Sequence, residues 1–132
     1  MWKYYYDFLY EVSKRVGKRL EEELGEKYLC DSIDKPWWLK YSGLRCHLPY
    51  GVGVEFGRPK GCRVYLLDVT KEELDYLRDE TQMLIDVAEY DKKRYEEGRP
   101  FDAEIELPCD EEVLVQVSKA VMEARKKYGE RR

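Results

Sequence analysis

The chain has 132 residues, of which 39 % are charged and 43 % apolar, and a formal net charge of −4. One domain is expected at this length, and folding buries roughly 70 % of the unfolded surface, enough for a core without metal or disulfide staples. The apolar content excludes low-hydrophobicity disorder, no long uncharged apolar run offers a membrane span, and the acidic balance argues against wholesale nucleic-acid affinity.

The first segment, Trp2 to about Leu24, carries Trp2, Tyr5, Leu9, Val12, Val16, Leu20 and Leu24 at steps of three and four. That spacing predicts an amphipathic helix, closed by Gly25. Residues 26 to 43 read as irregular, punctuated by Asp31, Ser32, Asp34, Pro36 and Gly43, with Pro36-Trp37-Trp38 in the middle. Leu44 to Leu48 and Val52 to Phe56 are strand candidates, and Gly57-Arg58-Pro59-Lys60-Gly61 is turn chemistry. Cys62 to Val69 has apolar groups on both alternating faces and is expected as a central strand.

Thr70 to Glu73 fits a capping box opening a long helix to about Glu97, stopped by Gly98 and Pro100. Phe101 to Leu107 alternates apolar with Asp102, Glu104 and Glu106, a half-buried strand whose acidic face suits a sheet edge. The last helix starts near Cys109 or Asp110 and ends near Tyr128-Gly129. The strand, long helix and strand from Cys62 to Leu107 suit a crossover joining parallel strands. The expected fold is a single α+β domain over 1–132: a sheet of three or four strands with three helices packed on it, one of them the long helix at about 70–97.

On a helical wheel the long helix has two apolar sides. Leu74, Leu77, Leu84, Ile85, Ala88 and Tyr95 form one, and Tyr76, Met83, Val87 and Tyr90 the other. The second side is covered either by another helix of the chain or by its own copy in a homodimer. Trp37 and Trp38 are further interface candidates, because adjacent tryptophans in a loop either plug a core or anchor a contact.

The chain contains no Asn and only two Gln, Gln82 and Gln116, beside abundant Glu, Lys and Arg. This is the composition of a hyperthermophile protein, similar to small reading frames of archaea or their viruses. Lys3 and Asp7 stand where a signal peptide is apolar, so a cytoplasmic, intracellular location is expected. Cys30, Cys46, Cys62 and Cys109 have three open fates: buried free thiols, disulfides of the kind hyperthermophile cytoplasm retains, or, least favoured, a scattered zinc site. No paired ligand motif is present, so no metal or other cofactor is expected.

The remaining chemistry is sparse. His47 is the lone histidine and has no partner nucleophile nearby in sequence, so a structural or surface role is expected. Asp68, Asp102, Glu104 and Glu106 lack the lysine that a nuclease strand places beside its acids. The glycines at 51, 53, 57 and 61 precede a strand rather than a helix and fit turns and bulges rather than a phosphate loop. Lys14, Arg15, Lys18 and Arg19 lie together on the first helix near Tyr4 and Phe8, and Arg58, Lys60 and Arg63 surround a hairpin tip. Cations beside aromatic rings suit phosphates and bases. The leading expectation is a thermostable protein acting by protein–protein association, as a homodimer. The alternative is a nucleic-acid-binding protein using the basic helix face and hairpin tip. The balance is against an enzyme, and no small-molecule substrate is indicated.

Overall fold

A computed structural model describes residues 2–26, 29–34, 42–57 and 61–130. In chain order the elements are α1 (Trp2–Leu24), β1 (Leu29–Asp34), β2 (Ser42–His47), a 3-10 turn (Pro49–Gly51), β3 (Val52–Phe56), β4 (Cys62–Val69) and α2 (Lys71–Thr81). Then come β5 (Asp86–Val87), a second 3-10 turn (Glu89–Asp91), α3 (Lys92–Glu96), β6 (Phe101–Leu107) and α4 (Glu111–Glu130). The fold is α+β. Trp37, Trp38, Arg58 and Lys60 lie outside the described residues.

The six strands form one sheet in the order β1-β2-β3-β4-β6-β5, and every neighbouring pair is antiparallel. Side chains alternate across a strand. Leu44 and Cys46, Val52, Val54 and Phe56, Cys62, Val64 and Leu66, and Ala103 and Ile105 are therefore buried on one face. Leu9, Val12, Val16 and Leu20 of α1, Leu74 and Leu77 of α2, and Leu114, Val117 and Val121 of α4 join the same core. The result is two layers, helices over one face of a sheet. Among the described residues no helix is long and apolar enough to cross a membrane.

Among the described residues the sheet is larger than the three or four strands expected, and there are four helices rather than three. The long helix at about 70–97 does not form. Thr70 caps α2 as expected, its side chain accepting from the Glu73 amide at 3.1 Å. The helix stops at Thr81, however, whose hydroxyl donates to the Leu77 carbonyl at 2.7 Å and accepts from the Met83 amide at 3.3 Å. Gln82 then turns left-handed at φ 57°. These side-chain bonds offer the backbone an alternative to the next helical turn. The released chain becomes β5, which pairs Val87 with Ala103, and Ile85 and Ala88 enter the core. Consequently β4 and β6 are antiparallel, not the parallel pair expected of a crossover, and the outer edge beside β6 is β5. Residues 29–34, read as irregular, form the opposite edge strand.

Tyr76, Met83, Val87 and Tyr90 therefore share no helix face. Tyr76 packs on Tyr128 with ring centroids 5.3 Å apart, Met83 packs on the core, Val87 sits in β5 and Tyr90 in the second 3-10 turn. The apolar seam that motivated a homodimer was a product of extending the helical wheel past Thr81.

A buried guanidinium ties the layers. Arg125 of α4 donates to the carbonyls of Tyr50 (2.8 Å), Leu67 (2.5 Å) and Asp68 (3.1 Å), and its Nε and Nη2 reach the Glu73 carboxylate at 3.2 and 3.3 Å. Glu73 thus serves Arg125 instead of reaching back to close the capping box. Tyr50 and Asp68 are both left-handed, at φ 64° and 51°. Such conformations persist in non-glycine residues only where surrounding contacts hold them, and Arg125 grips both carbonyls. The cysteines pair as two disulfides, Cys30–Cys46 directly across β1 and β2, and Cys62–Cys109 from the start of β4 to the turn before α4.

Candidate functional site

The second face of the sheet carries a different set of residues. Strand alternation places Arg45 and His47 of β2, Gly53 and Glu55 of β3, Arg63, Tyr65 and Leu67 of β4, and Asp102, Glu104 and Glu106 of β6 opposite the core. Among the described residues no long helix packs on this face. Nine of these residues, all but Gly53, line an open cleft of about 740 Å³ together with Glu89 and Tyr90 at one end. The register runs His47, Gly53, Tyr65 and Glu104 across four strands in one row, and Arg45, Glu55, Arg63 and Glu106 in the next but one.

Gly53 sets the first row. A Cβ there would lie 2.2 Å from Cζ of Tyr65. The tyrosine ring therefore lies flat across β3, and its hydroxyl meets Nδ1 of His47 on β2 at 2.9 Å. The Arg45 guanidinium stands 5.8 Å from the centroid of the same ring. This is a cation over an aromatic face, a weak but oriented contact.

The second row is a charge lattice. Arg45 donates through Nε (3.3 Å) and Nη2 (3.1 Å) to one oxygen, Oε2, of Glu55. Burial works against the charge of Arg45, but the Glu55 hydrogen bond and charge outweigh it and raise its pKa above the ordinary arginine value. The Glu55 side chain is only 6 % exposed, and its other oxygen, Oε1, is buried with no hydrogen-bond partner among the described residues. Arg63 pairs diagonally with Glu104 at 2.5 Å, both side chains 15 % exposed. Burial holds the Glu104 pKa above the ordinary carboxylate value, Arg63 opposes it and Glu106 adds to it. At the end of the cleft Asp102 accepts from the Tyr90 hydroxyl at 2.5 Å and the Asp68 amide at 3.2 Å. Partial desolvation of the hydroxyl and that bond to Asp102 push the Tyr90 pKa up.

The cleft therefore presents five carboxylates, Glu55, Glu89, Asp102, Glu104 and Glu106, against two guanidinium groups that are each already paired. The acids of β6, read from sequence as a solvated edge, instead form one wall of a concave surface. Among the described residues no three His, Cys, Asp or Glu side chains group as metal ligands. The four cysteines, the weak zinc candidates, carry their sulfurs in disulfides.

The basic candidates are divided between opposite sides of the molecule. Arg63 is in the sheet cleft. On α1, Arg15 pairs with Glu111 at 3.1 Å, and Arg19 pairs with Glu23 at 3.3 Å, with Glu111 at 3.8 Å and with Glu112. The hydrogen bond that Arg19 donates to Glu112 raises the Arg19 pKa despite some desolvation. Two of the four helix cations thus clamp α1 to the first turn of α4. Lys14 stands 4.5 Å over the Tyr10 ring, and Lys18 is exposed.

Sequence reasoning placed Arg63 at a hairpin tip and treated His47 alone. It missed Arg45, Glu55, Tyr65 and Gly53 as a set. The available signal is the two-residue period itself, which sets Arg45 and His47 of β2, Arg63 and Tyr65 of β4, and Asp102, Glu104 and Glu106 of β6 at alternate positions. No protein-family model, curated protein or solved structure matches this chain.

Proposed function

We propose that this chain is a protein-association module that receives a basic segment of a partner protein on the open face of its sheet. The observation that carries the reading is the acid-rich cleft on a sheet face that no long helix covers among the described residues. Its two arginines are neutralised within the molecule, so the net field is negative. A negative surface favours encounter with a positive one and repels phosphate. The cleft's size lies within the range that takes a side chain or short segment. The nucleic-acid reading is weaker on the same ground, because Arg15 and Arg19 are consumed by α4 and Arg63 by Glu104. The intracellular location expected above fits two disulfides in a hyperthermophile; in another host they require an oxidising compartment.

Fluorescence anisotropy at low salt tests the proposal. A labelled peptide of alternating arginine and glycine is expected to bind, with affinity falling as salt rises, while single-stranded and duplex DNA of similar length are not. Tighter binding of either DNA than of the peptide, or no binding of the peptide, overturns it.

A further inference from the structure

We infer that the anchor of this surface is the Glu55 carboxylate, and that the group it takes is the guanidinium of an arginine in the partner; the inference rests on the proposal that the sheet face receives a basic segment. The geometry of Glu55 is half complete. Arg45 binds side-on, with two nitrogens on the single oxygen Oε2. Oε1 is buried in the cleft wall and, among the described residues, accepts from no donor. A carboxylate offers lone pairs on both oxygens, and native structures rarely leave a buried acceptor without a donor. The missing partner is a donor, and the carboxylates of Glu104 and Glu106 on β6, which outnumber the one cation beside Glu55 on β4, Arg63, favour a cation.

The lining argues for guanidinium over ammonium. The chain is rich in lysine, yet among the described residues both side-chain cations in the cleft lining, Arg45 and Arg63, are arginines. Arg45 shows how the site holds such a group, against a carboxylate and over the Tyr65 ring. A planar, weakly hydrated fork can satisfy a carboxylate oxygen and stack face to face on a phenol ring together, whereas a compact ammonium is more strongly hydrated and has no flat face to stack. Arg45 is 44 % exposed and so is the side chain that yields to admit the ligand. It acts as an internal competitor for Glu55.

Three variants and two peptides test this. Arginine–glycine and lysine–glycine peptides of equal length are titrated into wild type, Glu55→Gln, Glu89→Gln and Arg45→Ala, each first checked for folding by circular dichroism. The arginine peptide is expected to bind wild type more tightly than the lysine peptide. Glu55→Gln should weaken the arginine peptide at least about tenfold, as loss of a buried charge-assisted bond does. Glu89→Gln removes the same unit of charge from an exposed residue of the cleft that already pairs with Lys92, and should weaken peptide binding by less, about twofold. Arg45→Ala should tighten binding, because the competitor is gone, and free guanidinium should compete more strongly there than with wild type. Equal losses in Glu55→Gln and Glu89→Gln, equal affinity for both peptides, or weaker binding in Arg45→Ala overturns the inference while leaving an acidic docking face in place. An unchanged affinity in Glu55→Gln means that only an ordered water fills the position and also overturns it. Failure of both peptides to bind wild type overturns the sheet-face reading itself. Should Glu55→Gln not fold, the Arg45→Ala result decides.

Discussion

A side chain at position 53 has nowhere to go while Tyr65 lies across β3. Gly53→Ala is expected to fold but to displace the Tyr65 ring, breaking its bond to His47. Loss of coupling between the two rings in NMR spectra, together with weaker arginine-peptide binding, is the check. Arg125 is a second residue on which much converges. Removing it leaves the Glu73 carboxylate, 8 % exposed, without its partner, and two left-handed residues without the group that holds their carbonyls. Arg125→Ala should cost about 3–5 kcal/mol in urea unfolding, as breaking one side of a buried ion pair does. Asp91 governs part of the acid response. Burial raises its pKa, but hydrogen bonds from Arg94 and from the Asp102 amide outweigh burial and hold it below the ordinary aspartate value. A carboxylate with a lowered folded pKa stabilises above its unfolded pKa, and that contribution is lost as pH falls through the folded value. Wild type should therefore lose urea stability as pH drops below about 4, and Asp91→Asn should show a shallower acid loss with lower stability at neutral pH.

At the scale of elements, the two disulfides do unequal work. Cys62–Cys109 closes a separation of 47 residues and Cys30–Cys46 one of 16. Loop-entropy scaling gives roughly 4 kcal/mol for the longer and roughly 3 for the shorter. Replacing Cys62 and Cys109 by Ser should lower the urea midpoint more than replacing Cys30 and Cys46. The end of α2 shows what periodicity alone misses. Leu84, Ile85 and Ala88 fit a helical stripe, yet Leu84 is 89 % exposed while Ile85 and Ala88 are buried through strand pairing. Helix propensity is continuous through this segment, and the competing local bonds of Thr81, with the pairing of β5 to β6, override it.

For the whole molecule, the distribution of charge matters more than its sum. The net charge of −4 combines an acidic sheet cleft with a basic helix face whose arginines pair with the start of α4. A variant with Ala at Lys14, Arg15, Lys18 and Arg19 should melt at a lower temperature, because those pairs join α1 to α4. Its affinity for the arginine peptide should be unchanged, since the cleft lies on the other layer. Thermal denaturation and peptide titration read the two effects separately. A loss of DNA affinity in this variant, against measurable DNA binding by wild type, would instead restore the helix face as a phosphate site.

Local pattern alone determined α1, the strands at 52–56, 62–69 and 101–107, the cap at Thr70 and α4, because each of these is specified by spacing and by end signals within a few residues. Tertiary structure alone decided where α2 stops, that β4 and β6 are antiparallel, which cysteines meet, and that Arg45, Glu55, Arg63, Tyr65 and the acids of β6 line one cleft. Strand register brings together residues far apart in sequence, as with Arg45 and Glu106, which are 61 positions apart and sit in one row across four strands. No local preference encodes that meeting; it arises when alternating side chains are forced to one side by burial of the other.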